Sequence, residues 1–173
     1  NLHVVSRHHT PGTARMRADL RRGQGRFFTL RGMGYCTFRP TCHNGKTMDI
    51  NEMETIARDT VAALPPPFAG LAQAVALQVV DWPSPDMLRD LDIDDPLELT
   101  GLYEGIPVTE KSYMDQPLAP DTVWLFREPI LAEWRDREDV DLAQLIAHVT
   151  IHEFAHHFGW SDDDIATIDR WWE

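Results

Sequence analysis

Cysteine is nearly missing from this chain. Of 173 residues only Cys36 and Cys42 are cysteine, and residues 48–173 hold none. That excludes a disulfide framework for the longer part of the chain and points to a reducing, cytoplasmic setting. Cys36, Cys42 and His43 stand at a spacing that fits no standard zinc-ligand set. Long apolar runs are absent as well: none approaches the roughly 20 residues of a membrane helix, and the first residues lack the apolar core of a secretory signal, so no membrane association is expected. Beyond residue 47 positive charge is scarce. The 16 Lys/Arg and 28 Asp/Glu divide as nine and one in residues 1–47 and as seven and 27 thereafter, giving +8 and −20. So acidic a surface argues against nucleic acid as a partner and favours basic substrates, although most such charge simply faces solvent.

The charge step sets a boundary near residue 47, with a basic extension at 1–47 and one domain at 48–173. With 43% apolar residues the chain is long enough for one well-packed core. Two readings of residues 1–47 are open. One is a basic arm that touches nucleic acid or folds back on the acidic domain; the other, preferred here, is an over-extended gene start, because Met48 opens a segment that stands as a domain by itself. Poor periodicity and frequent Arg and Gly predict disorder there.

From Met48 the pattern is regular. Asp49 and Glu52 form a capping box, and Ile50, Met53, Ile56, Thr60, Val61 and Leu64 recur at helical spacing until Pro65-Pro66-Pro67 ends the helix. Val75, Leu77 and Val79 alternate as in a half-buried strand. Ser84-Pro85 starts a short helix reaching about Asp90. Leu97–Tyr103 and Val123–Phe126 read as strands, and Glu128–Trp134 as a short helix. Asp141, with Gln144 three residues on, opens a helix whose apolar stripe is Leu142, Leu145, Ile146, Val149 and Phe158.

That last helix carries His152-Glu153-Phe154-Ala155-His156-His157-Phe158-Gly159-Trp160-Ser161-Asp162, which reads HExxHxxGxxD. Residues four apart share a helix face, so His152 and His156 aim at one ion. Glu153, one step round the same turn, is placed to act as general base toward a water activated by the metal. Gly159 ends the helix in a left-handed conformation, and the chain returns Asp162 as a third ligand. Three protein ligands leave a position open for chemistry, whereas four would make a structural site. Ser161-Asp162-Asp163-Asp164 also reads as the capped, acidic first turn of a further helix, so Asp163, Asp164 and Asp169 stand as alternative ligands. His148, one turn before His152, is a supporting residue behind the ligands, a substrate-facing residue or, as preferred here, a hydrogen-bonded, partly buried histidine. His157 points about 100° away from His156 and is not expected to ligate.

From about Met48 onward the sequence resembles the minimal zincins, small and mostly bacterial metallopeptidase-like proteins. The resemblance rests on Thr150–Gly159 followed by Ser161-Asp162-Asp163, on Leu99–Val108 and on Pro120–Arg127. It departs at Lys111, where Arg is expected, and at Phe126, where Tyr is common. The resemblance implies an α/β (α+β) single domain with a small mixed sheet packed on the HExxH helix, and one zinc ion held by His152, His156 and Asp162. Other divalent ions suit the same ligand set.

The expected activity is peptide-bond hydrolysis with Glu153 as general base, on a peptide or protein substrate. Leu102, Tyr103, Glu104 and Gly105 are the candidate platform on which an extended substrate adds to the sheet edge; Gly101 and Gly105 read equally well as turn residues. The sequence identifies no oxyanion donor beyond the metal; Tyr103 and Arg127 are open to that role, with an acidic partner the simpler one for Arg127. Trp171 and Trp172 are expected to pack the last helix on the core, with a contact patch as the alternative. The alternative function is a metal-containing peptide-binding or regulatory protein without catalysis. Oligomeric state is not readable from the sequence.

Overall fold

A computed structural model of the chain describes residues 3–5, 48–66, 68–112, 120–137 and 140–168. One compact unit comprises residues 1–10 together with 48–173. Residues 11–47 lie outside the described residues, as do Asp169, Trp171 and Trp172.

The elements of this unit run β1 (His3–Val5), α1 (Ile50–Ala62), α2 (Phe68–Ala72), β2 (Ala76–Val80), α3 (Pro85–Asp90), a 3-10 turn at Pro96–Glu98, β3 (Gly101–Gly105), β4 (Thr122–Phe126), α4 (Arg127–Asp136), α5 (Leu142–His157) and α6 (Asp162–Ile168). The strands form one mixed sheet in the order β1-β3-β4-β2. β2 pairs parallel with β4, β3 antiparallel with β4, and β1 antiparallel with β3. Mixed helices and strands around a small sheet are the α/β fold expected from the sequence. Among the described residues no helix is long and apolar enough to cross a membrane.

Local chemistry explains most boundaries. Asp49 accepts from the Glu52 amide at 2.8 Å and Glu52 accepts from the Asp49 amide at 3.1 Å, so the capping box of α1 closes in both directions. Ser84 caps α3 with Pro85 at its first position. The strand expected from Leu97 begins only at Gly101. Asp95 accepts from the Leu97 amide and Pro96 fixes its own φ, which turns Pro96–Glu98 into a 3-10 helix before the chain can extend.

Side-chain alternation builds three layers from the sheet. Leu77, Val79, Tyr103, Val123 and Leu125 point to one face, where they meet Met53 and Ala57 of α1 and Leu145, Ile146, Val149 and Phe154 of α5. Leu102 and Phe126 point to the other, together with Val80 and Trp124, and are covered by Leu99, Met87, Leu88 and Leu91 around α3. Each face thus receives alternate residues of β3 and β4. This register seats α5 across the sheet and brings its second half against β3.

Candidate metal centre

Helix α5 is secured at both ends. Asp141 Oδ1 accepts from the amides of Ala143 and Gln144 at 2.9 and 3.2 Å. At the other end the Gly159 amide donates to the His156 carbonyl and the Trp160 amide to the Ala155 carbonyl, at 3.0 and 3.1 Å. These two bonds, with Gly159 at φ +94°, make a Schellman motif that reverses the chain after one turn. Thr109 packs against Gly159 so closely that a Cβ there would collide with it, and the Val108 amide donates to the His157 carbonyl at 2.9 Å. Gly159 is therefore fixed by its left-handed backbone and by crowding from the loop after β3.

The reversal delivers Asp162 to the histidines. Asp162 Oδ1 lies 3.1 Å from His152 Nε2 and 3.3 Å from His156 Nε2. One ligand atom from each of the three residues falls within 4.8 Å of the others. A tetrahedral zinc with bonds of about 2.0–2.2 Å separates its ligand atoms by about 3.4 Å, so the two distances from Asp162 match zinc in spacing and all three donors match it in type. His156 Nδ1 is 2.8 Å from the Trp160 carbonyl. A proton on Nδ1 donates to that carbonyl and leaves Nε2 as the lone-pair nitrogen facing Asp162. Both histidines are buried, while the Asp162 side chain is half exposed. Burial pushes the His152 pKa down. Burial opposes protonation of His156 as well, but the Asp162 hydrogen bond, the Glu153 charge and the Trp160 carbonyl together raise it. With a proton on Nε2, as in the absence of an ion, His152 and His156 donate to Asp162 and hold its carboxyl well below the ordinary carboxylate range.

The other acids of the turn are placed differently. Ser161 N and Oγ donate to Asp164 Oδ2, and the Asp164 amide returns a bond to Ser161 Oγ, so this pair caps α6. Asp163 is exposed. The cap and the candidate ligand coexist because Asp162 is the first residue of α6. His148 has its ring 6.3 Å from that of His152. It also faces Glu133 of α4, a carboxyl that burial raises and the Arg137 and His148 charges lower, with a net upward shift.

Glu153 is fully buried, and its place depends on β3. An ideal Cβ on Gly101 would stand 2.7 Å from Glu153 Oε1, 2.8 Å from its Cγ and 2.9 Å from Val149 Cγ1. Gly101 is thus a close-approach glycine that admits the Glu153 side chain between helix and sheet, not a turn residue. Gly101→Ala is expected to cost about 1–3 kcal/mol of stability by overpacking. It should also lower any Glu153-dependent hydrolysis by about 10²-fold through misplacement of the carboxylate. Denaturant unfolding and rate measurement on the purified variant check both effects.

A buried polar cluster beside the site is not apparent in the linear sequence. Asp121, at the start of β4, accepts from Lys111 Nζ, and its Oδ2 lies 3.3 Å from His157 Nδ1. The Tyr103 hydroxyl is 3.2 Å from the same His157 nitrogen. Burial, and then the Asp121 charge, push the Tyr103 pKa upward, so the phenol stays protonated; burial pushes His157 down. A Cβ on Gly105 would meet Asp121 Oδ1 at 2.6 Å and the Tyr103 hydroxyl at 2.7 Å, so this glycine too is kept by crowding. The cluster joins β3, β4, the loop after β3 and the last residue of α5. Tyr103, Asp121 and His157 each lie inside a resemblance motif and Lys111 follows one, but no spacing in the sequence ties the four together.

Of the platform residues, Tyr103 is fully buried with its hydroxyl in this cluster, and Leu102 lies in the opposite core. Glu104 accepts from Trp124 Nε1 at 3.1 Å. Arg127 pairs with Asp81 and Glu128 and donates to the Met48 carbonyl. A side-chain oxyanion donor is thus offered by neither Tyr103 nor Arg127.

No curated protein matches the sequence. A sequence profile described as zincin-like metallopeptidase matches residues 72–172, a stretch that includes β2, β3, β4, α5 and all three candidate ligands. With more than half of its length matched, and with two imidazoles and a carboxylate gathered at the end of an HExxH helix, the chain belongs to the zincin-like metallopeptidase family.

Proposed function

We propose that this protein is a zinc-dependent peptidase in which His152, His156 and Asp162 hold one zinc ion and Glu153 is the general base. The observation that carries the reading is the convergence of the three ligand atoms within 4.8 Å, beside a fully buried carboxylate on the same helix turn. When bound, zinc supplies Lewis-acid activation of water and of the scissile carbonyl.

The chain's own residues do the rest. The Trp160 carbonyl holds the His156 Nδ1 proton and keeps Nε2 turned to the site. Asp162, ionised throughout the neutral range, adds a negative oxygen that offsets the ion's charge. Glu153, held close against Gly101, takes a proton on its carboxylate as the water oxygen bonds to the carbonyl carbon. It then passes that proton to the amine nitrogen as the C–N bond breaks. An extended peptide lies along Leu102–Gly105 of β3, held by main-chain hydrogen bonds. Its alternate side chains face an acidic surface, which favours basic sequences. His148 supports His152 from the preceding turn.

The test joins metal content to activity. Protein purified without added metal is expected to carry near-stoichiometric zinc by mass spectrometry and to cleave members of a mixed peptide pool. A chelator should abolish cleavage, and added zinc should restore it. Bound zinc with no metal-dependent cleavage would replace this reading with that of a metal-containing peptide-binding protein.

A further inference from the structure

Strand β3 has two hydrogen-bonding edges. One is taken by β4, from Gly101 opposite Leu125 to Glu104 opposite Thr122. The other carries β1 in an antiparallel register, with His3 opposite Gly105, Val4 opposite Glu104 and Val5 opposite Tyr103. The chain's own N-terminal residues therefore occupy the edge along which an extended peptide would lie. Their direction matters. Travel along β1 from His3 to Val5 moves from the Gly105 end of β3 toward the Gly101 end, and Gly101 is the residue against which Glu153 packs. Any extended peptide of this polarity that continues two residues beyond Tyr103, about 7 Å, arrives opposite Gly101.

Two further observations favour a reversible occupant over a permanent strand. The ladder spans only three residue pairs. β3 is itself anchored from elsewhere, by its ladder to β4 and by the packing of Tyr103 in the core shared with α1 and α5. Charge favours the association in sign, since residues 1–10 carry Arg7 and no acid while residues 48–173 carry −20.

We propose that the outer edge of β3 is a strand-accepting site whose resident occupant is the chain's own His3–Val5 segment, which competes there with extended peptides. Tethering places that segment at an effective concentration of about millimolar, so a free peptide meets a filled edge until the segment leaves. The competing ligand is a substrate only if the peptidase reading holds; the pairing itself does not depend on catalysis.

The experiment uses the full chain and a Val4→Pro/Val5→Pro variant, in which the one of these two consecutive amides that faces β3 is lost whatever the pairing phase, and φ is fixed away from the extended values of a strand. The probe is a fluorescein-labelled decapeptide with the sequence of residues 1–10, its three histidines replaced by serine so that it cannot ligate metal. Fluorescence anisotropy should find the probe bound at least about 10-fold more tightly by the proline variant than by the wild type, because the tethered competitor is gone. The same ratio should appear when both proteins also carry Glu153→Gln, which separates edge binding from chemistry. In the wild type, hydrogen exchange should find slow amides within residues 103–105 on the side facing β1, and these should speed up in the variant. Equal probe affinity for both proteins, or fast exchange of those amides in the wild type, would overturn the proposal. If neither protein cleaves peptides yet the affinity ratio holds, the peptidase reading fails and the edge site stands. If cleavage depends on Glu153 yet the ratio is one, the edge proposal alone fails.

Discussion

Glu153→Gln is expected to retain zinc and to lose hydrolysis by about 10²- to 10⁴-fold, the range over which a positioned acid–base group contributes to rate. Glutamine has nearly the same volume, so it fills the space against Gly101 without a new contact. What disappears is a group able to hold a proton between attack and departure of the amine. Glu153 is wholly buried, and placing a carboxylate out of contact with water is costly. The substitution should therefore leave thermal stability unchanged or higher, the reverse of the effect on rate. Three measurements on one preparation decide the matter: zinc content, melting temperature and the rate on a fixed peptide. Undiminished hydrolysis would remove Glu153 from the mechanism, and loss of zinc would make it a support of the ligands instead.

His156→Ala is expected to abolish zinc retention. Its Nε2 faces Asp162 Oδ1 at 3.3 Å, and its Nδ1 is bonded to the carbonyl of Trp160 in the turn that delivers Asp162. Removing the ring takes away one ligand and the bond that pins the turn carrying another. Wild-type protein should gain about 4 kcal/mol of apparent stability when free zinc stands about 1,000-fold above its dissociation constant, and the variant should gain almost none. Thermal unfolding with and without zinc reads this directly. Proton competition follows the same geometry. Burial opposes a proton on His156, but Asp162, Glu153 and the Trp160 carbonyl outweigh it, so the ring binds a proton more readily than an ordinary histidine. Zinc affinity should fall as pH drops through the histidine range, because ligation needs the neutral ring. A zinc-induced shift of equal size in both proteins would refute the ligand assignment.

The sequence by itself determined the local features. HExxH at helical spacing, the Asp141 cap, the Asp49/Glu52 box and Gly159 as the helix terminator are all decided within a few residues by hydrogen-bond geometry and φ preference, so the order of residues alone makes them legible. The Asp162 ambiguity is also local, and it arises because Ser161-Asp162-Asp163-Asp164 serves two purposes at once: Ser161 and Asp164 cap while Asp162 turns to the histidines. Only the tertiary structure decided what depends on elements distant in the chain. In the linear chain Gly101 and Gly105 read equally well as turn residues and as part of the strand region, whereas the packing of α5 and β4 reveals which side chains their missing Cβ atoms admit. Lys111, Asp121, Tyr103 and His157 come from four separate segments and form one cluster only because β3 and β4 pair beneath the end of α5. The pairing of His3–Val5 with β3 lies furthest from reach. A three-residue strand has no periodicity to read, and its partner lies about a hundred residues away, fixed by backbone hydrogen bonds that carry no side-chain signature.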